Sequence, residues 1–351
     1  MKNITVDKKG VSIIVCCYNS QNLLPQTIQH LANQNVSNRI GWEIIIVDNN
    51  STDNTAIVAA DVWEKTGSKT PFNIITQPIP GLSAAREMGV ENSQYEYIIF
   101  VDDDNWLDEN YVTNVYNIME NNPEIGILGG VGIPVYEEEP PEWFIKYKVR
   151  YAVGKQADRS GDISLKKGYV YGAGMVVRKF TWYYVKSLGF KNYVSDRSKN
   201  KLLSGGDNEI CYIVRLVGYK IWYDDSLIFK HFIPKKRLTY KYFLEHKEGK
   251  HRSSVYLDPY LRLLNGDHNI FRNGKYLWLS KIGKLSVQIL YLSDYLLRFI
   301  LRNQYSHRKH EKYKELLGKL KGWLTIRGKY SEIYNELLHL KQRAIQYQNK
   351  S

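Results

Sequence analysis

"YEYIIFVDDDNWLDENYV", residues 95–112, drives an apolar run, Ile98-Ile99-Phe100-Val101, straight into three carboxylates, Asp102, Asp103 and Asp104, before apolar character returns at Trp106 and Leu107. A short continuous apolar run bounded by polar residues is the pattern of a strand buried on both faces. Like charges in contact repel by about 1 kcal/mol even in water, and by more where solvent is thin, so such a cluster calls for a counter-charge.

The same design recurs upstream. "VSIIVCCYN" (11–19) reads as a buried strand ending in Tyr18 and Asn19, followed by a helical pattern from Leu23 to Asn33 with Pro25 in its first turn. "GWEIIIVDNNS" (41–51) ends in Asp48 and Asn50, within a polar cluster suited to capping a helix from about Asp53 to Lys65. "FNIITQ" (72–77), the turn "PIPG" and the helix "LSAAREMGVENS" form a third unit. Continuous apolar strands alternating with helices predict an α/β fold, a mostly parallel Rossmann-like sheet flanked by helices. Ligands of such sheets bind at the carboxyl ends of the strands, which is where each polar cluster falls.

Beyond residue 125 the pattern changes. "IGILGGVGIPVY" is a Gly-rich strand and "EEEPPEWF" a Pro-broken surface loop; "GYVYGAGMVVRKFTWYYV" (168–185) predicts two strands turning at Gly172-Ala173-Gly174, with a helix from about Thr181. No helix N-terminus follows that GxG, so the dinucleotide fingerprint is not met. "LSGGDNEICYIVRLVGYKIWYDDSLIFKHF" (203–232) puts Asp207 and Glu209 at the start of an amphipathic helix and His231 at the far end of the next strand. Acidic residues are favoured at a helix N-terminus by the dipole, so a structural role for Asp207 stands beside a catalytic one.

The chain has 351 residues, 43% of them hydrophobic, enough for a large domain plus an appendage, 1–235 and 236–351. The polar start, "MKNITVDKKG", lacks a signal-peptide pattern, and Cys16, Cys17 and Cys211 form no paired or CxxC framework; both predict a cytoplasmic location. The net charge is +13, but residues 265–351 hold 17 Lys/Arg against 6 Asp/Glu, so 17 − 6 = +11 belongs to the tail. Within it, "LSVQILYLSDYLLRFIL" (285–301) is interrupted by Asp294 and Arg298 and is short for a bilayer span. Two alternatives follow: an amphipathic helix on the inner, anionic face of a membrane, or a helical bundle with a basic outer face.

In order and spacing, "SIIVCCYN", "EIIIVDNNSTDNT", "GLSAAREMGV", "YIIFVDDDNWL", "GAGMVVRK", "GGDNEICYIVRLVGYKIWY" and the following His231 make the chain resemble the inverting family 2 glycosyltransferases of bacterial surface-polysaccharide synthesis, which have the GT-A fold. The resemblance covers about residues 10 to 235. It implies a nucleotide-sugar donor, most commonly a UDP-sugar, with Mn²⁺ or Mg²⁺ as cofactor and a saccharide or lipid-linked saccharide as acceptor; nucleic acid is not an expected partner.

Carried over by position, the resemblance implies that Tyr18 packs on the nucleobase and Asp48 accepts from its polar edge, with Cys16, Asn19 and Asn50 beside them. Arg86 would lie near the diphosphate. Asp102 and Asp103 would hold ribose and water, and Asp104, with Asp102 and His231, the metal. Asp207 matches the family's catalytic base. Gly174, Trp182 and Glu209 would face acceptor or sugar, and "HKEGKHRSS" (246–254) resembles a segment that closes over the donor. This chain departs from the family at Glu87, commonly Asn, and at Gly206, commonly acidic. Trp143, Trp182 and Trp222 are each either a sugar platform or a packing residue.

The chemistry suits these residue types. A divalent cation stabilises charge growing on a leaving diphosphate, one carboxylate can take the acceptor proton, and a single displacement inverts the anomeric centre. No second carboxyl acid is needed, because the diphosphate is already a good leaving group. The competing classes are a nucleotidyltransferase, which would need a Gly-rich basic first loop that is not in this sequence, and a non-enzymatic basic membrane- or RNA-binding protein. Basic charge confined to the tail disfavours RNA as the main ligand.

Overall fold

The computed structural model describes residues 8–194, 204–267, 277–293, 295, 297 and 306–348. The chain divides into two compact units, residues 1–189 with 213–238 and residues 190–212 with 239–351.

The first unit is built from β1 (Lys8–Cys17), α1 (Leu24–Ala32), β2 (Trp42–Asp48), α2 (Thr55–Thr66), β3 (Phe72–Thr76), α3 (Leu82–Asn92), β4 (Tyr95–Asp102), β5 (Asn105–Leu107), α4 (Tyr111–Asn121) and β6 (Ile125–Tyr136). After α5 (Glu142–Tyr147) come β7 (Gly161–Asp162), β8 (Met175–Arg178), α6 (Lys179–Ser187), α7 (Gly206–Leu216) and β9 (Lys220–Ile233). Helix α7 straddles the boundary between the units at Tyr212/Ile213.

Among the described residues the strands form one sheet in the order β3-β2-β1-β4-β8-β6-β9-β5, with β7 on β9. The half from β3 to β4 is parallel, β8 runs antiparallel to both neighbours, and β6 and β9 are parallel. Val11, Ile13, Val15, Ile44, Ile46, Ile99 and Val101 are fully or almost fully buried, as expected for strands covered on both faces. Gly130 of β6 is demanded by packing, since a Cβ there would come 1.9 Å from the Leu227 carbonyl oxygen.

The parallel register positions the site. Cys16 pairs with Asp102 and Cys17 with Asp48, so the carboxyl ends of β1, β2 and β4 lie side by side. Asn19 and Asn50 turn the chain out of β1 and β2 with φ of 53° and 61°. Asparagine tolerates this left-handed region better than most residues because its short polar side chain bonds locally. The side-chain oxygen of Asn19 accepts from the Thr52 amide at 2.8 Å, while its own amide donates to Ser51 Oγ at 2.9 Å, bracing one loop on the other.

Two local expectations differ from the structure. The stretch 168–174 forms no strand, because Gly168 and Gly174 both take positive φ; only β8 continues the sheet, and α6 starts at Lys179. The loop "EEEPPEWF" ends in a helix, since Pro141 immediately precedes α5 and its fixed φ suits a helix start, while Phe144 buries the inner face.

The second unit is helical: α8 (Tyr240–Leu264), α9 (Leu277–Leu290), α10 (His307–Ile326) and α11 (Tyr330–Gln348). Residues 246–254, expected as a closing segment, lie inside α8, a regular helix whose Ser253 and Val255 are buried. The lysines of α10 pair with Glu248 of α8 through Lys314 at 3.0 Å and Lys321 at 2.6 Å. Asp294 and Arg298 of the apolar tail segment fall outside the described residues.

Candidate active site

Asp104 is the focus of the acidic cluster. It follows β4 and is 2% exposed, so its charge must be matched from within the protein. Arg237 Nη1 lies 2.9 Å from its Oδ2, and Asn105 Nδ2 donates to its Oδ1 at 2.9 Å. The Asp104 carbonyl accepts from the Phe232 amide at 2.9 Å, fastening the loop to β9.

The antiparallel register of β5 and β9 pairs Asn105 with His231 and brings the imidazole to Asp104, Nε2 lying 3.5 Å from Oδ1. His231 Nδ1 is 2.7 Å from the Tyr151 carbonyl oxygen. A carbonyl only accepts, so Nδ1 carries the proton, and in the neutral ring Nε2 presents its lone pair to Asp104 and to Arg237 Nη1, 3.4 Å away. A histidine held this way through Nδ1 has the second-sphere arrangement of a metal ligand.

Asp103 faces the other way. Its carboxylate accepts from the Ser20 hydroxyl and its carbonyl from Thr27 Oγ1 at 2.7 Å. Burial first, and the neighbouring Asp104 second, push its carboxyl up to about 7, against the pull of the Ser20 bond. Asp102 closes β4, and its amide donates to Asn105 Oδ1 at 3.2 Å.

Arg86 of α3 is buried with its guanidinium 5.0 Å from the centre of the Phe100 ring. Burial pushes the Cys16 thiol up to about 12, Arg86 drawing it back. Cys16 is therefore a protonated filler between Arg86 and the acidic cluster rather than a nucleophile. Tyr18 is 49% exposed at the rim, and the Asp48 side chain accepts from the Ser51 amide at 3.1 Å. Tyr18, Asp48, Arg86 and the Asp102–Asp104 turn thus share one edge of the sheet.

The other expected positions carry packing. Trp182 is 6% exposed and packs on Phe100 at 5.9 Å, which leaves no platform for a sugar. Gly174 is a turn residue at φ 67° whose carbonyl accepts from Tyr111 Oη at 2.7 Å; a Cβ there would sit 2.6 Å from that oxygen. Trp222 packs against the core, and Trp143 edges onto Phe144.

In the second unit, Asp207 stands half-buried in the first turn of α7. Glu209, 1% exposed, is consumed by protein donors: the Tyr193 amide at 2.9 Å, the Val194 amide at 3.1 Å and Tyr260 Oη at 2.7 Å. Its role in this geometry is to fasten 193–194 to α7 and α8, not to meet an acceptor. Glu209→Ala is expected to cost ~3 kcal/mol or more, because buried donors lose a charged acceptor. Tyr260→Phe is expected to cost ~1–2 kcal/mol. Urea unfolding followed by the loss of hydrogen-exchange protection at the Tyr193 and Val194 amides checks both.

Sequence reasoning passed over Arg237, Ser20 and Tyr151. Only Arg237 carried a signal, the basic run Lys235-Lys236-Arg237 six residues past His231. The reverse face of the β5–β9 ribbon carries Trp106, stacked on His30 at 5.6 Å and on Phe232 at 5.8 Å. Strand alternation sends that face, with Lys230 and a small cavity, away from His231.

Among the described residues no three His, Cys, Asp or Glu side chains converge as a closed metal cage. Asp104 and His231 instead fit an open site. Mg²⁺ and Mn²⁺ beside nucleotides are commonly held by one or two carboxylates, with phosphate oxygens and water completing the shell.

Residues 12–182 match the family model "Glycosyl transferase family 2". The chain is 31% identical over 126 residues to the poly(ribitol-phosphate) beta-N-acetylglucosaminyltransferase TarP of Staphylococcus aureus, covering 36% of this chain and 37% of TarP. It is 34% identical over 113 residues to the cholesterol galactosyltransferase of Borreliella burgdorferi, covering 32% of this chain and 30% of that protein. The chain thus spans about a third of the length of these curated relatives. Among solved structures, S. aureus TarS 1–349 in complex with UDP-GlcNAc superposes with a TM-score of 0.50 at 16% identity, covering 92% of each chain. With the strand-end acidic cluster, these matches show that the chain is similar to glycosyltransferase family 2 over residues 12–182 and shares the GT-A architecture of TarS.

Proposed function

We propose that the chain is an inverting glycosyltransferase that moves a sugar from a UDP-sugar to a hydroxyl of a saccharide or lipid-linked saccharide. The observation that carries this is the buried Asp104, with His231 and a guanidinium beside it, at the carboxyl edge of the parallel half of the sheet. The UDP-GlcNAc complex of TarS, and TarP as a poly(ribitol-phosphate) beta-N-acetylglucosaminyltransferase, support a UDP donor.

Tyr18 and Asp48 bind the uracil, Asp102 and Asp103 the ribose and its water, and Arg86 the diphosphate. Asp104 and His231 would hold Mn²⁺ or Mg²⁺, which would supply neutralisation of the charge on the departing diphosphate. Asp207 takes the proton from the acceptor hydroxyl. Calorimetric titration with UDP, GDP and dTDP in the presence of Mn²⁺, followed by nucleotide-sugar turnover, tests the assignment. Binding of UDP and its release from one UDP-sugar is the expected result. Pyrophosphate release would mean a nucleotidyltransferase, and no nucleotide binding would refute the donor site.

The acceptor reading extends to the helical unit. No described helix is long and apolar enough to cross a membrane. On α9, however, Leu279, Val287 and Leu290 recur at helical spacing as an exposed apolar stripe beside exposed Lys284, while Leu285 is buried. Such a stripe in a strongly basic tail suits peripheral contact with an anionic lipid surface. The chain is expected to float with phosphatidylglycerol vesicles and not with phosphatidylcholine vesicles, and Leu290→Asp is expected to weaken flotation. Equal recovery with both lipids would discard the membrane contact.

A further inference from the structure

Arg237 Nη1 occupies a telling position. It is 2.9 Å from Asp104 Oδ2 and 3.4 Å from His231 Nε2, so one guanidinium nitrogen bridges the two groups best suited to ligate a divalent cation. A cation bound to both needs ligand distances near 2 Å. The guanidinium and the metal therefore exclude each other by space as well as by charge.

Resting on the donor-site assignment above, we infer that Arg237 is a built-in counter-cation that a divalent metal must displace, and that the donor diphosphate receives the displaced guanidinium. The local structure allows this exchange. Arg237 belongs to a short 3₁₀ turn, Lys235–Leu238, and its side chain is 14% exposed, so side-chain rotation is enough to carry it off Asp104. Lys235 and Lys236 on the same turn are exposed. A freed guanidinium among them presents a forked donor suited to phosphate oxygens.

The energetics give the exchange a sign. Without nucleotide, a metal gains Asp104 only by parting it from Arg237, at the cost of that partly buried, charge-assisted contact. With a diphosphate present, the guanidinium exchanges one anion for another and the phosphate oxygens add ligands to the metal. Metal and nucleotide then bind with positive coupling, which must be reciprocal. The arrangement keeps the buried carboxylate matched in the donor-free protein and makes tight metal capture depend on the donor.

The test is Mn²⁺ binding to the full chain, followed by electron paramagnetic resonance of free Mn²⁺, with and without saturating UDP. In the wild-type protein UDP is expected to tighten Mn²⁺ by tenfold or more, within the usual range of coupling. Arg237→Gln is expected to bind Mn²⁺ alone about tenfold more tightly, because Asp104 is left waiting for a cation, while UDP affinity in the presence of Mn²⁺ falls. Arg237→Lys, which keeps the charge but loses the fork, is expected to lie between them. Unchanged or weaker Mn²⁺ binding by Arg237→Gln, with UDP-dependent Mn²⁺ binding intact in the wild type, would overturn the inference and spare the donor site. Failure of the wild type to bind Mn²⁺ even with UDP would overturn both.

Discussion

Asp104→Asn is expected to lower sugar transfer by about 10²–10³-fold, the scale of losing one principal electrostatic stabiliser of a leaving group. The amide has the shape of the carboxylate, so Asn105 can still be accommodated, but the charge that answers Arg237 and faces His231 is gone. Because the pair is largely buried, this variant also removes the anion facing Arg237, and a stability loss of ~3 kcal/mol accompanies the kinetic one. Combining Asp104→Asn with Arg237→Gln separates the two effects. The double variant recovers stability, since both charges of the pair are removed, and it does not recover turnover. Recovered turnover would mean that Asp104 acts only by balancing Arg237. Denaturant midpoints and initial rates on the same preparations decide the matter.

Asp207→Asn is expected to lower turnover by about 10²–10⁴-fold, with little change in the affinity for UDP. The substitution discriminates between the two roles open to this residue. In the first turn of α7 a carboxylate gains ~0.3–1 kcal/mol from the helix dipole, and Asn retains the hydrogen-bonding shape while giving up the charge. A purely structural Asp207 would therefore show a small loss of stability and nearly normal turnover. A base would show the reverse.

The expected strand–helix order was legible because its signals are local. Buried parallel strands are written as continuous apolar runs, and their carboxyl ends as Asn and Asp, so β1, β2 and β4 could be placed within a few residues. The Gly-rich segment was less legible. Positive φ at Gly168 and Gly174 removes the first of the two expected strands, because glycine marks both turns and close packing. Trp182 and Glu209 expose the same limit. Nothing in a tryptophan's neighbours tells whether its face meets Phe100 or a sugar, and Glu209 reads as a site acid until Tyr260, half a hundred residues on, is seen donating to it.

By itself the sequence determined an α/β fold with the parallel half of its sheet, the edge at which its polar clusters collect, and the resemblance to family 2 glycosyltransferases, since hydrophobic period, capping residues and motif spacing are short-range properties. Tertiary structure alone decided how the negative charge of Asp104 is answered. That depends on the register of β5 on β9, which sets His231 opposite Asn105, and on the 3₁₀ turn that returns Arg237 to the loop. An ion pair between residues so distant in the chain has no local signature. It exists because a buried carboxylate must find its cation wherever the fold brings one within reach.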